Sequence, residues 1–209
     1  MSGINGIHAF IRAFGATTRR LAQSRRGVAA IEFAFIAPVL LILYFMTLEV
    51  SHAIETNKKV GRAASMIADL VTQQQTITAE GLDAIMQIGE ATMQPYDRSQ
   101  LSIFATGIQI SNDSTAQATV AWSRKLTGDQ AQGSSFLTAG SKTTVPTELA
   151  IPGTFLVRVQ TTLDYRPIIT WTVDAKQTLG LLSAFDDINM AEHYYLRPRM
   201  SSSIPCGDC

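Results

Sequence analysis

The most constraining feature of this sequence is an uninterrupted apolar segment at positions 28–48, VAAIEFAFIAPVLLILYFMTL. Glu32 is its only charged residue, and it lies close to one end. As an α-helix, these residues would extend about 31 Å, which matches the roughly 30 Å thickness of the hydrocarbon core of a bilayer. The segment therefore predicts a transmembrane helix.

The balance of transfer free energies supports insertion of this segment into lipid. Its strongly apolar side chains favour insertion by roughly 3–6 kcal/mol in total, whereas one carboxylate at mid-membrane would cost about 2.5–3.5 kcal/mol. The cost is smaller for Glu32 because it lies near the end. Two alternatives remain, a buried helix of a soluble protein and a secretory signal cleaved after the small residues Ser51-His52-Ala53, although secretory apolar regions are usually shorter. The ten strongly apolar residues are Phe33, Phe35, Ile36, Val39, Leu40, Leu41, Ile42, Leu43, Phe45 and Leu48.

The distribution of charge predicts the orientation of that helix. Residues 1–27 contain five arginines and no acidic residue, whereas the rest of the chain has 12 basic and 17 acidic residues, a formal charge of −5. The positive-inside rule places the N-terminus in the cytoplasm and residues 51–209 outside. We therefore predict a single-pass protein of a bacterial inner membrane with a periplasmic C-terminal domain. That acidic domain lacks the basic surface that a nucleic-acid partner would require.

The junction between the basic leader and the apolar segment reads RRGVAAIEF at positions 25–33. It resembles the type IV prepilin signature and the TadE-like family of Tad/Flp pilus-assembly proteins. The resemblance implies that a prepilin peptidase cleaves between Gly27 and Val28, and that Glu32, followed by Phe33, compensates the new amine of a neighbouring subunit. The alternative is an uncleaved anchor in which Glu32 lies at the headgroup level. The physical reason for either arrangement is that a carboxylate in lipid is costly unless an opposite charge or the polar headgroup layer stabilises it.

Beyond the membrane the spacing of apolar residues predicts helices and then strands. A stripe with 3–4 spacing, from Val50 to Val71, continues the first helix, and we expect its C-terminal half to cover the chain's own sheet. Thr78 is placed to cap a second helix that ends near Met93, before Pro95. The apolar face of this helix comprises Leu82, Ile85, Met86, Gly89 and Met93.

The C-terminal half alternates with the period of two that is typical of half-buried antiparallel strands. The predicted strands lie at about 101–110, with a bulge near Gly107, and at 116–123, 155–165 and 188–196. Residues 127–153 are predicted to form a long surface loop, and Asp186-Asp187 a turn.

Together these elements predict an α+β protein: a long N-terminal transmembrane helix that continues outside the membrane, a second short helix, and a small antiparallel sheet of about four strands. We divide the chain into a basic cytoplasmic leader (1–27), a transmembrane helix (28–50), a helical extension (51–95), a periplasmic sheet domain (96–200) and a flexible tail (201–209).

Two features near the C-terminus complete the pattern. Tyr165-Arg166-Pro167 and Arg197-Pro198-Arg199 are similar to Arg-Pro motifs that TadE-like proteins often carry in this order. Cys206 and Cys209 are the only cysteines, and outside the cytoplasm they could form a short terminal disulfide. A flexible tail is one alternative, and a redox motif with C-x-x-C spacing is another, although such motifs lie at a helix start, where the helix dipole lowers the thiol pKa.

The sequence contains no arrangement that predicts catalysis. His8, His52 and His193 are not spaced as ligands of one metal, and no nucleophile, phosphate-binding or dinucleotide motif is present. We predict that the protein is not an enzyme and needs no cofactor or metal. The leading hypothesis is a minor-pilin-like subunit of a Tad/Flp-type pilus or secretion system, whose partners are the membrane, other pilin-like subunits, assembly-platform proteins and a prepilin peptidase. The alternative is a membrane-anchored periplasmic ligand-binding or sensor domain.

Overall fold

The computed structural model describes the backbone from Arg25 onward and the side chains from Val28 onward. The predictions for the leader before Arg25 and for the Asp186-Asp187 turn lie outside the described residues. The chain divides into two compact units, Met1–Val50 and Ser51–Cys209, and each is treated by itself. The described residues are 25–113, 116–128, 130, 132–168 and 188–209.

The first helix, α1 (Arg25–Thr72), contains 48 residues and continues through Pro38. The predicted transmembrane helix and the first part of the predicted extension are thus segments of one helix. It ends at Thr72, immediately before the three consecutive glutamines.

Within the second unit, one face of α1 forms part of the hydrophobic core. Six side chains between Val60 and Val71 are completely inaccessible to solvent, and their spacing of three or four residues puts them on one side of the helix. The Thr161 hydroxyl donates a hydrogen bond of 3.3 Å to the Val60 carbonyl, which links the helix to the sheet. This confirms that the C-terminal half of the stripe covers the chain's own sheet. The six residues are Val60, Ala63, Ala64, Ile67, Ala68 and Val71.

The second helix, α2 (Ala79–Ala91), begins where the sequence predicts. Thr78 is the N-cap, and its side chain accepts a hydrogen bond of 3.1 Å from the Gly81 amide, as expected of a threonine at that position. Gly89 is buried on the inner face, where an added Cβ would lie 2.3 Å from the Ile67 side chain. The absence of a side chain at Gly89 therefore permits close packing of α2 on α1.

The described residues form one six-stranded antiparallel sheet in the order β3-β2-β1-β5-β6, with β4 also paired to β2. The four long strands correspond to the four predicted, and the register shifts at Gly107/Ile108, as the predicted bulge requires. The two short strands arise from the segment predicted to be a surface loop. The strands are β1 (Ser102–Ile110), β2 (Ala118–Thr127), β3 (Ser134–Ser135), β4 (Lys142–Thr143), β5 (Phe155–Tyr165) and β6 (Ile188–Leu196).

The helices pack on one face of this sheet, and the main core lies between them and the strands. A smaller cluster of buried side chains comprises Ile108, Ile110, Ala118 and Leu156, with Val145 and Leu149 packed against it. Leu149 ends a short 3₁₀ helix, Thr147–Leu149. The predicted loop therefore contributes apolar contacts to a second cluster of the domain.

The C-terminal segment differs from the flexible tail expected at 201–209. Ile204 is completely buried in the main core, and the Trp122 indole N–H donates a hydrogen bond of 2.7 Å to the Ile204 carbonyl. The Ile77 amide donates to the Pro205 carbonyl at 3.1 Å. This segment packs on the domain because the Ile204 side chain fills a core position, and because the carbonyls of Ile204 and Pro205 accept hydrogen bonds from Trp122 and Ile77.

If Ile204 anchors this segment, Ile204→Ala should lower the free energy of unfolding by about 2–5 kcal/mol, because it removes a fully buried aliphatic side chain. The matched control is Met200→Ala, since the Met200 side chain is 60% exposed in the same region. Denaturant titration of the full chain in detergent measures both. Equal stability of the two variants would contradict the packing described here.

Candidate functional site

The surface of α1 between residues 28 and 48 is apolar and largely uncovered. In the most apolar 18-residue window of the helix, none of the residues is buried. Phe33 is 70% exposed and Phe35 is 75% exposed. Many other large apolar side chains on all sides of the helix are exposed to a smaller extent. So large an apolar surface is unfavourable in water. By length and composition, α1 is sufficient to cross a membrane.

The polar groups of this segment are few. The Thr47 hydroxyl donates a hydrogen bond of 2.8 Å to the Leu43 carbonyl one turn earlier, so this donor has its acceptor within the helix. Glu32 is the only carboxylate between positions 28 and 48, and it is exposed. Its charge therefore requires a partner or an aqueous headgroup layer if this segment enters lipid.

The residues of the predicted processing junction all lie on α1. Gly27 is in its first turn, and Val28 and Glu32 are separated by four residues, a rise of about 6 Å on the same helix face. Val28 is half exposed and Phe33 more so. A free amine on Val28 would thus lie one turn from the carboxylate of its own subunit, and both groups are open to contact with another molecule.

A second polar site lies in the domain formed by Ser51–Cys209, where α2 packs against β2. Asp83 of α2 and Arg124 of β2 form a two-pronged ion pair, with both nitrogen–oxygen distances 2.6 Å. The two side chains are only 6% and 14% exposed. Two parallel charge-assisted hydrogen bonds of this kind fix the relative orientation of the groups.

The environment of Asp83 favours its ionised form. Burial by itself would raise the pKa of Asp83, but the hydrogen bonds from Arg124 and from the Gly133 amide, together with the guanidinium charge, outweigh burial and lower the pKa. The hydrogen bond to Asp83 likewise raises the pKa of Arg124 against the opposing effect of burial. An added Cβ on Gly133 would lie 2.6 Å from Asp83 Oδ1, so glycine permits this close approach of the backbone.

Around this ion pair is an open cleft of about 530 Å³. Three of its lining residues are acidic and one is basic, and the acidic and basic partners Asp83 and Arg124 neutralise each other. The remaining charge of the cleft is negative, from Glu80 and Asp208. Its size is within the range of ligand sites, but its lining is more polar than the mainly apolar walls such sites usually have.

Cys206 and Cys209, the remaining residues singled out from the sequence, form a disulfide with a Cα–Cα distance of 5.7 Å. Together with Asp208, their ligand atoms lie within 4.8 Å of one another. While the sulfurs are bonded to each other they are not thiolates, so this group is not a metal site in its disulfide form.

The match to a known protein family lies in the N-terminal part of the chain. The family described as TadE-like protein matches residues 27–69. The chain carries a TadE-like N-terminal region. The match confirms the resemblance over 43 of the 209 residues, and its first residue is Gly27 of the junction. No curated protein and no solved structure matches the chain.

The TadE-like region connects the chain with proteins associated with Tad pili. It includes the junction, the exposed apolar segment and most of the helical stripe that packs on the sheet. The Arg-Pro motifs at Arg166-Pro167 and Arg197-Pro198 lie beyond the match, so their relation to the family stays a prediction.

The Asp83–Arg124 pair was not among the candidates from the sequence. The two residues are 41 positions apart, and neither belongs to a local motif that relates them. The one available signal is a charged residue next to the predicted apolar face of α2, because Asp83 directly follows Leu82 of that face. A carboxylate beside a buried position requires a partner, but the sequence does not identify which cation supplies it.

We expect Asp83→Asn to lower the free energy of unfolding by about 3 kcal/mol at neutral pH, because it leaves the Arg124 guanidinium with no carboxylate in a mostly buried site. Asp69→Asn is the matched control, since Asp69 pairs with Arg199 at the surface and such pairs contribute about 0–1 kcal/mol. Denaturant titration compares the two. Similar losses in both variants would contradict the assigned importance of the buried pair.

The same pair predicts a pH dependence. Because the pKa of Asp83 is lower in the folded state than its ordinary value of about 3.9, its stabilising contribution is complete above that value and is lost as the pH falls through the lower folded value. The stability difference between the wild type and Asp83→Asn should therefore shrink below about pH 4. A difference that stays constant on acidification would show that the Asp83 carboxylate is not responsible.

Proposed function

We propose that this protein is a minor-pilin-like membrane subunit of a Tad/Flp-type pilus-assembly or secretion system. The observation that carries the proposal is the TadE-like match, which begins at Gly27 and continues through the apolar helix. The exposed apolar surface of that helix provides a physical reason for membrane insertion and lateral packing. The protein acts in this role by helix packing and protein–protein contacts.

In the proposed arrangement α1 crosses the bacterial inner membrane once. The five arginines of residues 1–27 hold the leader in the cytoplasm, and the domain formed by Ser51–Cys209 lies in the periplasm. This orientation follows from the asymmetry of charge about the apolar segment.

Glu32 has a specific part in lateral assembly. After cleavage by a prepilin peptidase, the Val28 amine carries a positive charge at the membrane edge, and Glu32 carries a negative charge one turn away. A carboxylate in a medium of low dielectric is stabilised by an opposite charge on an adjacent helix. We propose that Glu32 of one subunit pairs with the Val28 amine of its neighbour, which sets the axial register between the two helices.

The apolar stripe of α1 after Val60 does not supply these lateral contacts. Its side chains are buried in the protein's own core, so the contacts with other subunits use the exposed apolar surface of residues 28–48. The partners proposed for that surface are other pilin-like subunits and assembly-platform proteins. This division follows from burial, because a side chain already packed in a core has no surface to offer a second molecule.

The decisive experiment for processing is mass spectrometry of the N-terminus after coexpression with a prepilin peptidase. We expect a mature chain that begins at Val28. Gly27→Leu should block cleavage, whereas Gly15→Leu, a glycine-to-leucine change elsewhere in the leader, should leave it unchanged. A chain beginning at Ile54 would identify a secretory signal, and a chain that stays intact with active peptidase would contradict processing.

The role of Glu32 is tested by coisolation. Glu32→Gln should reduce recovery of this subunit with its pilin-like partners from detergent-solubilised membranes by about tenfold or more, because the charge pair in lipid is lost. Glu55→Gln is the matched control, since Glu55 is an exposed carboxylate outside the apolar segment. Equal recovery of the two variants would contradict the proposed pairing.

A membrane-anchored periplasmic ligand-binding domain is the second candidate function. The cleft around Asp83 and Arg124 is the observation that favours it. This function requires no processing at Gly27 and predicts that a small molecule copurifies with the domain or raises its melting temperature. Substitution of Gln87→Leu, on the cleft wall, should then remove that increase without preventing assembly of the subunit.

A further inference from the structure

The last six residues of the chain make a set of specific contacts with the start of α2. Cys206 forms a parallel β-bridge with Ile77, and the Pro205 carbonyl accepts a hydrogen bond from the Ile77 amide. Two residues later, Asp208 Oδ1 accepts a hydrogen bond of 2.8 Å from the Ala79 amide. We call this segment, Ile204–Cys209, the C-terminal clasp.

The clasp contributes to the capping of α2. The first amides of a helix have no partner within the helix and need acceptors from outside it. Thr78 satisfies the Gly81 amide, and Asp208 satisfies the Ala79 amide, so the two caps act on different donors. A carboxylate at this position also interacts favourably with the positive end of the helix dipole.

The disulfide determines where Asp208 can lie. It joins Cys206 to Cys209 and closes a small ring that contains Asp208. Ile204 is anchored by burial and by Trp122, and Pro205 and Cys206 are held by their contacts with Ile77, but these contacts do not reach the last three residues. Gly207 has open space around it, so the ring closure restrains that part of the clasp together with the hydrogen bond of Asp208 and the packing of Cys209 against the core.

We propose that Cys206 and Cys209 form a redox modification site, and that their oxidation locks the C-terminal clasp onto the start of α2 and completes one wall of the Asp83–Arg124 cleft. Reduction frees Asp208 and uncaps Ala79. The inference does not depend on the pilin-like role, because it requires only the disulfide and its contacts.

The oxidant is a disulfide-containing molecule, either a small disulfide such as oxidised glutathione or a dithiol carrier protein in its oxidised form. A thiolate of the pair attacks the oxidant's disulfide to form a mixed disulfide and releases one thiol of the oxidant. The second thiolate then displaces the other half of the oxidant. Two protons and two electrons leave the cysteine pair, and the oxidant is reduced to two thiols. Both cysteines are partly exposed, which permits this attack.

The test uses the full chain in detergent, equilibrated with either oxidised glutathione or dithiothreitol. Hydrogen–deuterium exchange is followed in a peptide that covers residues 77–82 and in a peptide from β5. We expect exchange at the start of α2 to be about fivefold faster in the reduced protein, because one N-terminal cap is lost. Exchange in β5 should be unchanged. Intact mass establishes the redox state in each sample.

Variants separate the ring from the carboxylate that it positions. Asp208→Ala should show the faster exchange at 77–82 even when its disulfide is formed, and Cys206→Ser/Cys209→Ser should show it in both buffers. Ser202→Ala, at an exposed position just before the clasp, is the matched control and should behave as the wild type.

Three outcomes would overturn the proposal. The first is equal exchange at 77–82 in oxidised and reduced wild type, and the second is a cysteine pair that remains reduced in oxidised glutathione. The third is faster exchange in β5 as well on reduction, which would mean that the disulfide supports the whole domain and not a local clasp.

Discussion

The unshielded apolar surface of residues 28–48 is the constraint on which the rest of this account depends. Its large side chains project on all sides of α1, and none of the most apolar window is buried. Water cannot accommodate that surface without a large free-energy cost, whereas lipid or the apolar helices of other subunits can. In the proposed arrangement, the arginine-rich leader and the acidic domain are the two aqueous ends of one membrane-spanning chain.

The pattern of side chains along α1 changes between its two ends. Up to Leu48 the apolar residues surround the helix, as expected where every direction is apolar. From Val60 onward the buried apolar residues lie on one stripe, and polar residues such as Arg62 lie on the other side. The stripe and α2 cover the sheet, so α1 also forms part of the fold of the domain Ser51–Cys209.

Much of this architecture could be predicted from local sequence patterns. The period of two placed β5 and β6 at the bounds observed, the Thr78 cap and the bulge at Gly107 were located correctly, and the apolar run identified the helix. Each of these signals lies within a short stretch of chain, where propensity and periodicity act directly.

The features that sequence did not predict depend on contacts between distant residues. Ile204 is one apolar residue among serines, a proline and cysteines, and only its packing in the main core and the hydrogen bond from Trp122 show why it is buried. Asp83 finds Arg124 through the packing of α2 on β2, and the two-residue strands exist because β2 offers an edge. Residues 201–209 are predicted to be flexible from their composition alone. Composition carries no information about distant partners such as Trp122 and Ile77. For the processing junction the sequence is more informative than the structure, because a peptidase recognises a local sequence and cleavage does not depend on contacts within the folded chain.

The central claim is that residues 28–48 lie in lipid, with the leader inside and the domain outside. It is tested most directly by cysteine labelling in intact cells of a bacterial host without a prepilin peptidase, in a Cys206→Ser/Cys209→Ser background. We expect the full-length chain to stay in the membrane pellet after alkaline carbonate extraction. We also expect a membrane-impermeant maleimide that enters the periplasm to label Ser202→Cys at once, and Ser24→Cys only after the inner membrane is permeabilised. Release of the chain into the aqueous fraction, or labelling of Ser24→Cys but not Ser202→Cys in intact cells, would contradict it.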